Sequence, residues 1–233
     1  YLLGETPEIN NLFVACGFNS IGIQSSGGAG KVLAEWIKQG KPSMDLWDVD
    51  VRRTFPFQTE KDFLFERTKE TLGLLYDMHW PNRQYETARD IRLGPLHQQL
   101  LDQGAVMGEV AGWERPNWYA RGDATAYEYT YAKPNWFDAC QAECDGIATN
   151  VAVFDQVSYP IFRIEGPEAL AFLQYLSGNN MDVDINQIVY SQWLNTDGGI
   201  ESDVTITRLD EDQFMVVSAA ASERREWVWL QQH

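Results

Sequence analysis

A change of hydrophobic period restricts this chain more than any other feature. From residue 151 onward apolar residues return at every second position, in stretches 151–154, 161–164, 188–194, 200–209 and 214–218. A two-residue period places successive side chains on opposite faces of a strand, so five strands are predicted. One helix interrupts them. Gly166-Pro167 opens it, with proline where the N–H would have no intrahelical partner, Leu170, Leu173 and Leu176 share its inward face, and Gly178 closes it. The NTDGG run between the third and fourth strands carries a hairpin turn signal. This region therefore reads as α+β with a mainly antiparallel sheet.

The preceding sequence has two other textures. Residues 1–40 read as strand, glycine-rich loop and helix: NLFVACGF, then NSIGIQSSGGAG, then KVLAEWIKQG with Val32, Leu33, Trp36 and Ile37 at helical spacing. Gly40 and Pro42 end that helix. Residues 41–97 are an aromatic and charged connector, in which 63–76 predicts a helix with Phe63, Leu64, Thr68, Leu72 and Leu75 near one face. The strand-rich remainder, 98–233, contains the loop GWERPNWY, whose Trp113, Pro116, Trp118 and Tyr119 are expected to clamp a loop or a domain junction. Tyr1 leads into a strand-like run, and SERREWVWLQQH ends in helical character without a stop signal, so both ends are expected to continue.

Charge and cysteine usage remove several function classes. Lys and Arg number 18 against 34 Asp and Glu, a net charge of −16, which argues against nucleic acid or an anionic membrane as main partner. No stretch reaches the ~20 apolar residues of a membrane span. Cys16, Cys140 and Cys144 form no disulfide framework; His79, His97 and His233 lie far apart; no metal-site spacing is present. Cys140 and Cys144 would share a helix face, and all three thiols are expected to be buried in a reducing compartment.

Two features invite chemistry. The glycine cluster Gly17, Gly22, Gly27, Gly28 and Gly30 fails the Walker spacing, since Ser25 stands where its first glycine belongs, and fails G-x-G-x-x-G, since Leu33 stands at the third glycine. A flexible backbone at a helix N-terminus and a tight strand-to-helix turn remain equally open. In IESDVTIT, alternation puts Ile200, Ser202, Val204 and Ile206 on one face and Glu201, Asp203, Thr205 and Thr207 on the other. Spacing alone makes Asp203 a solvated strand carboxylate.

The runs LFVACGFNSIGIQSSGGAGKVLAEWI, DLWDVDVRR, GPLHQQLLDQGAVMGEVAGWERPNWY, VFDQVSYPIFRIEGPEAL and VYSQWLNTDGGIESDVTITRL resemble the dimethylglycine/sarcosine dehydrogenase family, in that family's order and across nearly the whole chain. The resemblance implies an internal piece of a larger FAD-dependent dehydrogenase that oxidatively demethylates N-methylated glycines and passes the one-carbon unit to tetrahydrofolate. The piece would hold the end of an FAD-binding α/β domain (1–40), a central connector domain (41–97) and the first part of an aminomethyltransferase-like folate-binding domain (98–233).

It implies that Gly17, Phe18, Asn19, Ser20, Ile21, Gly22, Ile23 and Gln24 lie beside the flavin ring. It also implies that Asp203 engages the pterin as the catalytic residue, with Tyr159, Tyr190, Val217 and Ser218 lining the folate pocket and Tyr190 offering a stacking face. Departures are Ala219, where the family often has Asn, and Tyr159, where Met is common. Gln24 stands where related oxidases place a Lys, which favours a protein electron acceptor such as an electron-transfer flavoprotein over oxygen. The family is found in bacterial cytoplasm and the mitochondrial matrix. Two alternatives are a non-catalytic relative resembling the pyruvate dehydrogenase phosphatase regulatory subunit and a stand-alone folate-binding module.

Overall fold

The computed structural model covers residues 1–233 and divides into two compact units, 1–76 with 224–233, and 77–223. The first unit opens with an antiparallel pair, β1 (Leu2–Glu5) and β2 (Phe13–Cys16), followed by a 3-10 turn (Asn19–Ile21) and helix α1 (Gly22–Gln39). The glycine-rich stretch expected to be a loop is thus the first half of α1. Gly27, Gly28 and Gly30 cost helix stability and face open space, while Trp36, 2 % exposed, fixes the second half. Gly40 ends α1 in left-handed backbone, donating its N–H to the Trp36 carbonyl.

Trp36 organises the unit. Gly4, at φ +111, lays β1 directly on its indole, and a Cβ there would come within 2.6 Å of the ring. Phe13 meets Trp36 edge-on and the Arg52 guanidinium lies 5.1 Å from its centroid. Buried Asp50 holds Arg52 through Nε and Nη2, so the charge under the indole is paired. Helix α2 (Lys61–Leu74) forms where the period required it, but only Phe63 of its expected apolar face is buried; Leu64, Leu72 and Leu75 are exposed.

The second unit begins with α3 (His97–Asp102) and a hairpin, β3 (Ala105–Val110) and β4 (Trp113–Tyr119). GWERPNWY is therefore mostly strand. Its Trp118, 1 % exposed, packs against Tyr127 and Trp136, the last of these just ahead of helix α4 (Phe137–Thr149), so of the expected aromatics Trp118 clamps this loop. Buried Glu114 on β4 receives both Nε and Nη2 of Arg89 and the Asp90 N–H.

The rest of this unit is β5 (Ile161–Glu165), α5 (Ala169–Leu176), β6 (Ile188–Leu194), β7 (Ile200–Asp210) and β8 (Gln213–Val217), an antiparallel sheet in the order β5-β8-β7-β6. One face is dry: Trp193, Val204, Ile206, Phe214 and Val216, with Ala169, Leu173 and Leu176 of α5, make the core. Residues 151–154, predicted as a strand, pair with nothing; Val151 and Val153 are almost fully exposed. Helix α6 (Glu223–Gln232) ends the chain's secondary structure. No helix is long and apolar enough to cross a membrane.

Candidate functional site

The register of the four-stranded sheet decides which of the expected folate residues share a face. Tyr190 stands opposite Thr205 and Thr205 opposite Val217, while Gln192 stands opposite Asp203 two residues along. Cross-strand partners share a face and strand neighbours two apart do too, so Tyr190, Asp203 and Val217 lie on the face opposite the dry core, joined by Gln192 and Thr205. Tyr190 is 58 % exposed, and its hydroxyl donates to Asp203 Oδ2 at 3.0 Å. The phenol is therefore tied to the carboxylate, which limits the free stacking platform expected of it. The bond uses Asp203 Oδ2 and leaves Oδ1 as an acceptor without a protein donor.

The remaining two residues behave differently. Tyr159 is partly exposed in the turn before β5, its N–H donating to the Gln156 carbonyl, and Ile161, two residues on, pairs with Val217. Ser218 is buried, and its Oγ accepts the Ala219 N–H at 2.6 Å. The structure thus brings Tyr190, Asp203 and Val217 together on the open face and keeps Ser218 off it. Alternation already puts Thr205 on the Asp203 face; Gln192 was absent from the sequence reading, because a register shift between Trp193 and Leu194 decides which residue stands opposite Asp203. An outward carboxylate braced by a phenol suits a flat heterocycle that offers N–H donors, and the exposed ring beside it suits an apolar edge.

The expected flavin residues lie in the first unit, in one continuous segment. β2 ends at Cys16, Gly17 takes φ +70 and Asn19 φ +49, and the 3-10 turn leads into α1. Phe18 stacks on Tyr1 at 4.7 Å, Ser20 Oγ accepts from the Tyr76 hydroxyl, and the Ile21 N–H donates to the Phe18 carbonyl. Gly22, Ile23 and Gln24 form the first turn of α1, with Ile23 95 % exposed. No side chain caps this helix start, so the N–H groups of its first turn have no side-chain acceptor and the positive end of its dipole favours an electron-rich ligand atom. A flavin, whose pyrimidine edge gains negative charge on reduction, fits such a donor set.

The cysteines depart from expectation. Cys16 and Cys144 are exposed and Cys140 is half-buried on α4. Burial, with the Glu143 carboxylate and Cys144 close by, pushes the Cys140 thiol above its ordinary range and makes it a poor thiolate. Elsewhere, burial of Glu114 raises its carboxyl, but the Arg89 hydrogen bonds, the Asp90 N–H and the Arg89 charge together outweigh this and hold it below the usual range. No group of His, Cys, Asp and Glu is arranged to hold a metal.

Residues 96–233 match the GCVT N-terminal domain, and residues 39–93 match the FAD dependent oxidoreductase central domain. The chain is 45 % identical over 231 residues to a 4-methylaminobutanoate oxidase (formaldehyde-forming) of Paenarthrobacter nicotinovorans, covering 99 % of this chain and 28 % of that protein. It is 38 % identical over 238 residues to the mitochondrial pyruvate dehydrogenase phosphatase regulatory subunit of Mus musculus, covering 100 % and 27 %. With the mitochondrial sarcosine dehydrogenase of Homo sapiens it is 34 % identical over 234 residues, covering 89 % and 26 %. The chain spans about a quarter of the length of these relatives. It belongs to the dimethylglycine/sarcosine dehydrogenase family, as an FAD-dependent oxidoreductase central domain followed by the N-terminal part of an aminomethyltransferase-like domain.

Proposed function

We propose that this chain is part of an FAD-dependent dehydrogenase that demethylates an N-methylated amino acid of the sarcosine or dimethylglycine type and delivers the one-carbon unit to tetrahydrofolate. The observation that carries the reading is the Tyr190–Asp203 pair on the open face of the sheet. Asp203 would accept the pterin N–H groups and orient the ligand, Tyr190 would hold the carboxylate in place, and Tyr159 and Val217 would flank it; buried Ser218 would act through the backbone before and after it. Tetrahydrofolate, when bound, supplies the amine nitrogen that takes up the one-carbon unit. At the other site residues 17–24 would face the flavin, which when bound supplies the two-electron acceptor. The uncapped start of α1 would favour its reduced, more negative form.

The three stretches 1–40, 41–97 and 98–233 would be the end of the FAD-binding domain, the central domain and the start of the folate domain. Placement in bacterial cytoplasm or mitochondrial matrix accords with the mitochondrial names of two relatives. Relatives and residues point different ways on the acceptor: one relative is named an oxidase, whereas neutral Gln24 cannot supply a cation for nascent superoxide. We favour a protein acceptor such as an electron-transfer flavoprotein.

Titration of the full-length protein with tetrahydrofolate tests the folate assignment. Asp203→Asn should weaken binding at least about tenfold, the loss expected for a charge-assisted hydrogen bond, with thermal stability unchanged. Equal affinity in the two proteins would overturn it. The regulatory alternative is favoured by the 38 % identity to the phosphatase subunit, and a full-length protein that purifies without flavin and oxidises no N-methylated amine would establish it.

A further inference from the structure

The turn between β2 and α1 holds two left-handed residues within three positions, Gly17 at φ +70 and Asn19 at φ +49. Such backbone is easy for glycine and tolerable for Asn, but it persists only where surrounding contacts over-determine it. The helix itself contributes little, because Ile21 at its N-cap has no capping side chain. The anchors are two tyrosines distant in sequence. Tyr1 stacks on Phe18 with rings 15° from parallel. Tyr76, just past the end of α2, donates its phenol to Ser20 Oγ at 2.5 Å across 56 residues. Its side chain is part of a residue that is 74 % exposed, so apolar burial does not account for its position; the hydrogen bond does.

The direction of that bond matters. With the more acidic phenol as the donor and Ser20 Oγ as the acceptor, the serine's own proton is left to donate elsewhere, and a hydroxyl that accepts a hydrogen bond becomes a stronger donor. We propose that Tyr76 is a positioning residue of the flavin-facing turn: it acts through Ser20, fixing the turn and holding the serine hydroxyl as an outward donor toward the cofactor. The inference rests on the reading of residues 17–24 as flavin-facing. Neither tyrosine belongs to that segment, and Tyr76 links it to the end of α2.

The test uses the full-length protein with its flavin and compares wild type with Tyr76→Phe, Ser20→Ala, the double variant and Gln24→Lys. The measurements are the flavin midpoint potential and its visible absorption spectrum. Tyr76→Phe and Ser20→Ala should each lower the potential and shift the absorption bands in the same sense, and the double variant should go no further than the larger single change. Tyr76→Phe keeps the ring, so thermal stability should stay near wild type. A Tyr76→Phe protein with wild-type potential and spectrum, alongside a Gln24→Lys protein whose values move, would overturn the role of Tyr76 alone. Were Gln24→Lys also without effect on both, the turn would not face the flavin, and the underlying reading would fall with the inference.

Discussion

On the four-stranded sheet, Tyr190 and Asp203 stand on a ladder whose other face holds Ser191, Trp193, Val204, Ile206, Phe214 and Val216, each at most 2 % exposed. In the first unit, residues 17–21 have no such backing: two left-handed residues, an uncapped helix start and two aromatic anchors hold the turn. The sheet site inherits its geometry from a dry core, because a slip of one residue would expose that whole core to water. The turn owes its geometry to a handful of contacts. Substitutions of the outward side chains at the sheet site should therefore separate binding from folding cleanly, and substitutions at the turn's left-handed backbone, such as Gly17, should not.

The largest effect tests the core beneath the sheet. Trp193→Ala should cost about 3–5 kcal/mol in urea unfolding, as deletion of a fully buried aromatic does; a loss under about 1 kcal/mol would mean that the ladder does not depend on that face. Next comes the second unit's buried ion pair. Glu114→Gln leaves the Arg89 charge without its counter-ion and should cost about 2–3 kcal/mol, less than the full penalty for a buried charge, since 24 % of the Arg89 side chain reaches water and its Nη1 still donates to the Tyr85 carbonyl.

The same pair sets a pH dependence. The folded Glu114 carboxyl lies below its unfolded value near 4.5, so its contribution is complete above that pH and is lost as pH falls through the folded value. Urea midpoints of wild type should drop on acidification below about pH 4.5, and Glu114→Gln should remove part of that drop. An unchanged acid profile in the variant would show that other carboxylates carry it.

Smaller effects address the sites themselves. Gly17→Ala places a Cβ on left-handed backbone and should cost about 1–2 kcal/mol, together with a change in the flavin spectrum. Tyr190→Phe removes one exposed hydrogen bond and should cost at most about 1 kcal/mol of stability while lowering tetrahydrofolate affinity. If instead Gly17→Ala left the spectrum intact and Tyr190→Phe unfolded the protein, the contrast between the two sites would be reversed.

The antiparallel sheet and its facing in the second unit were legible because one face is dry: Val204 and Ile206 had to turn inward, and Asp203 outward, whereas the strand order β5-β8-β7-β6 was not. The same alternation failed at 151–154, where β-prone residues have no partner strand, since period reports a tendency and pairing needs a neighbour. Propensity misled at Gly27, Gly28 and Gly30, which read as a loop but are carried in a helix whose Trp36 end is firmly packed. The thiols misled too, because burial follows from tertiary position rather than from residue type. At the sites, alternation put Asp203 and Thr205 on one face, but Gln192 stands opposite Asp203 only through a register shift at Trp193–Leu194 that the turn does not announce, and the bond from Tyr76 to Ser20 joins elements 56 residues apart and leaves no local pattern.

The unpaired stretch at 151–154 also bears on how the protein meets proteases. These enzymes bind their substrates as extended strands, and Val151, Val153 and Phe154, at 96 %, 91 % and 64 % exposed, lie in a segment with no ladder to break first. Chymotrypsin should cut after Phe154 before it reaches the buried aromatics of either unit. Bands from a brief digest would then date the opening of the rest of the chain by how much later they follow.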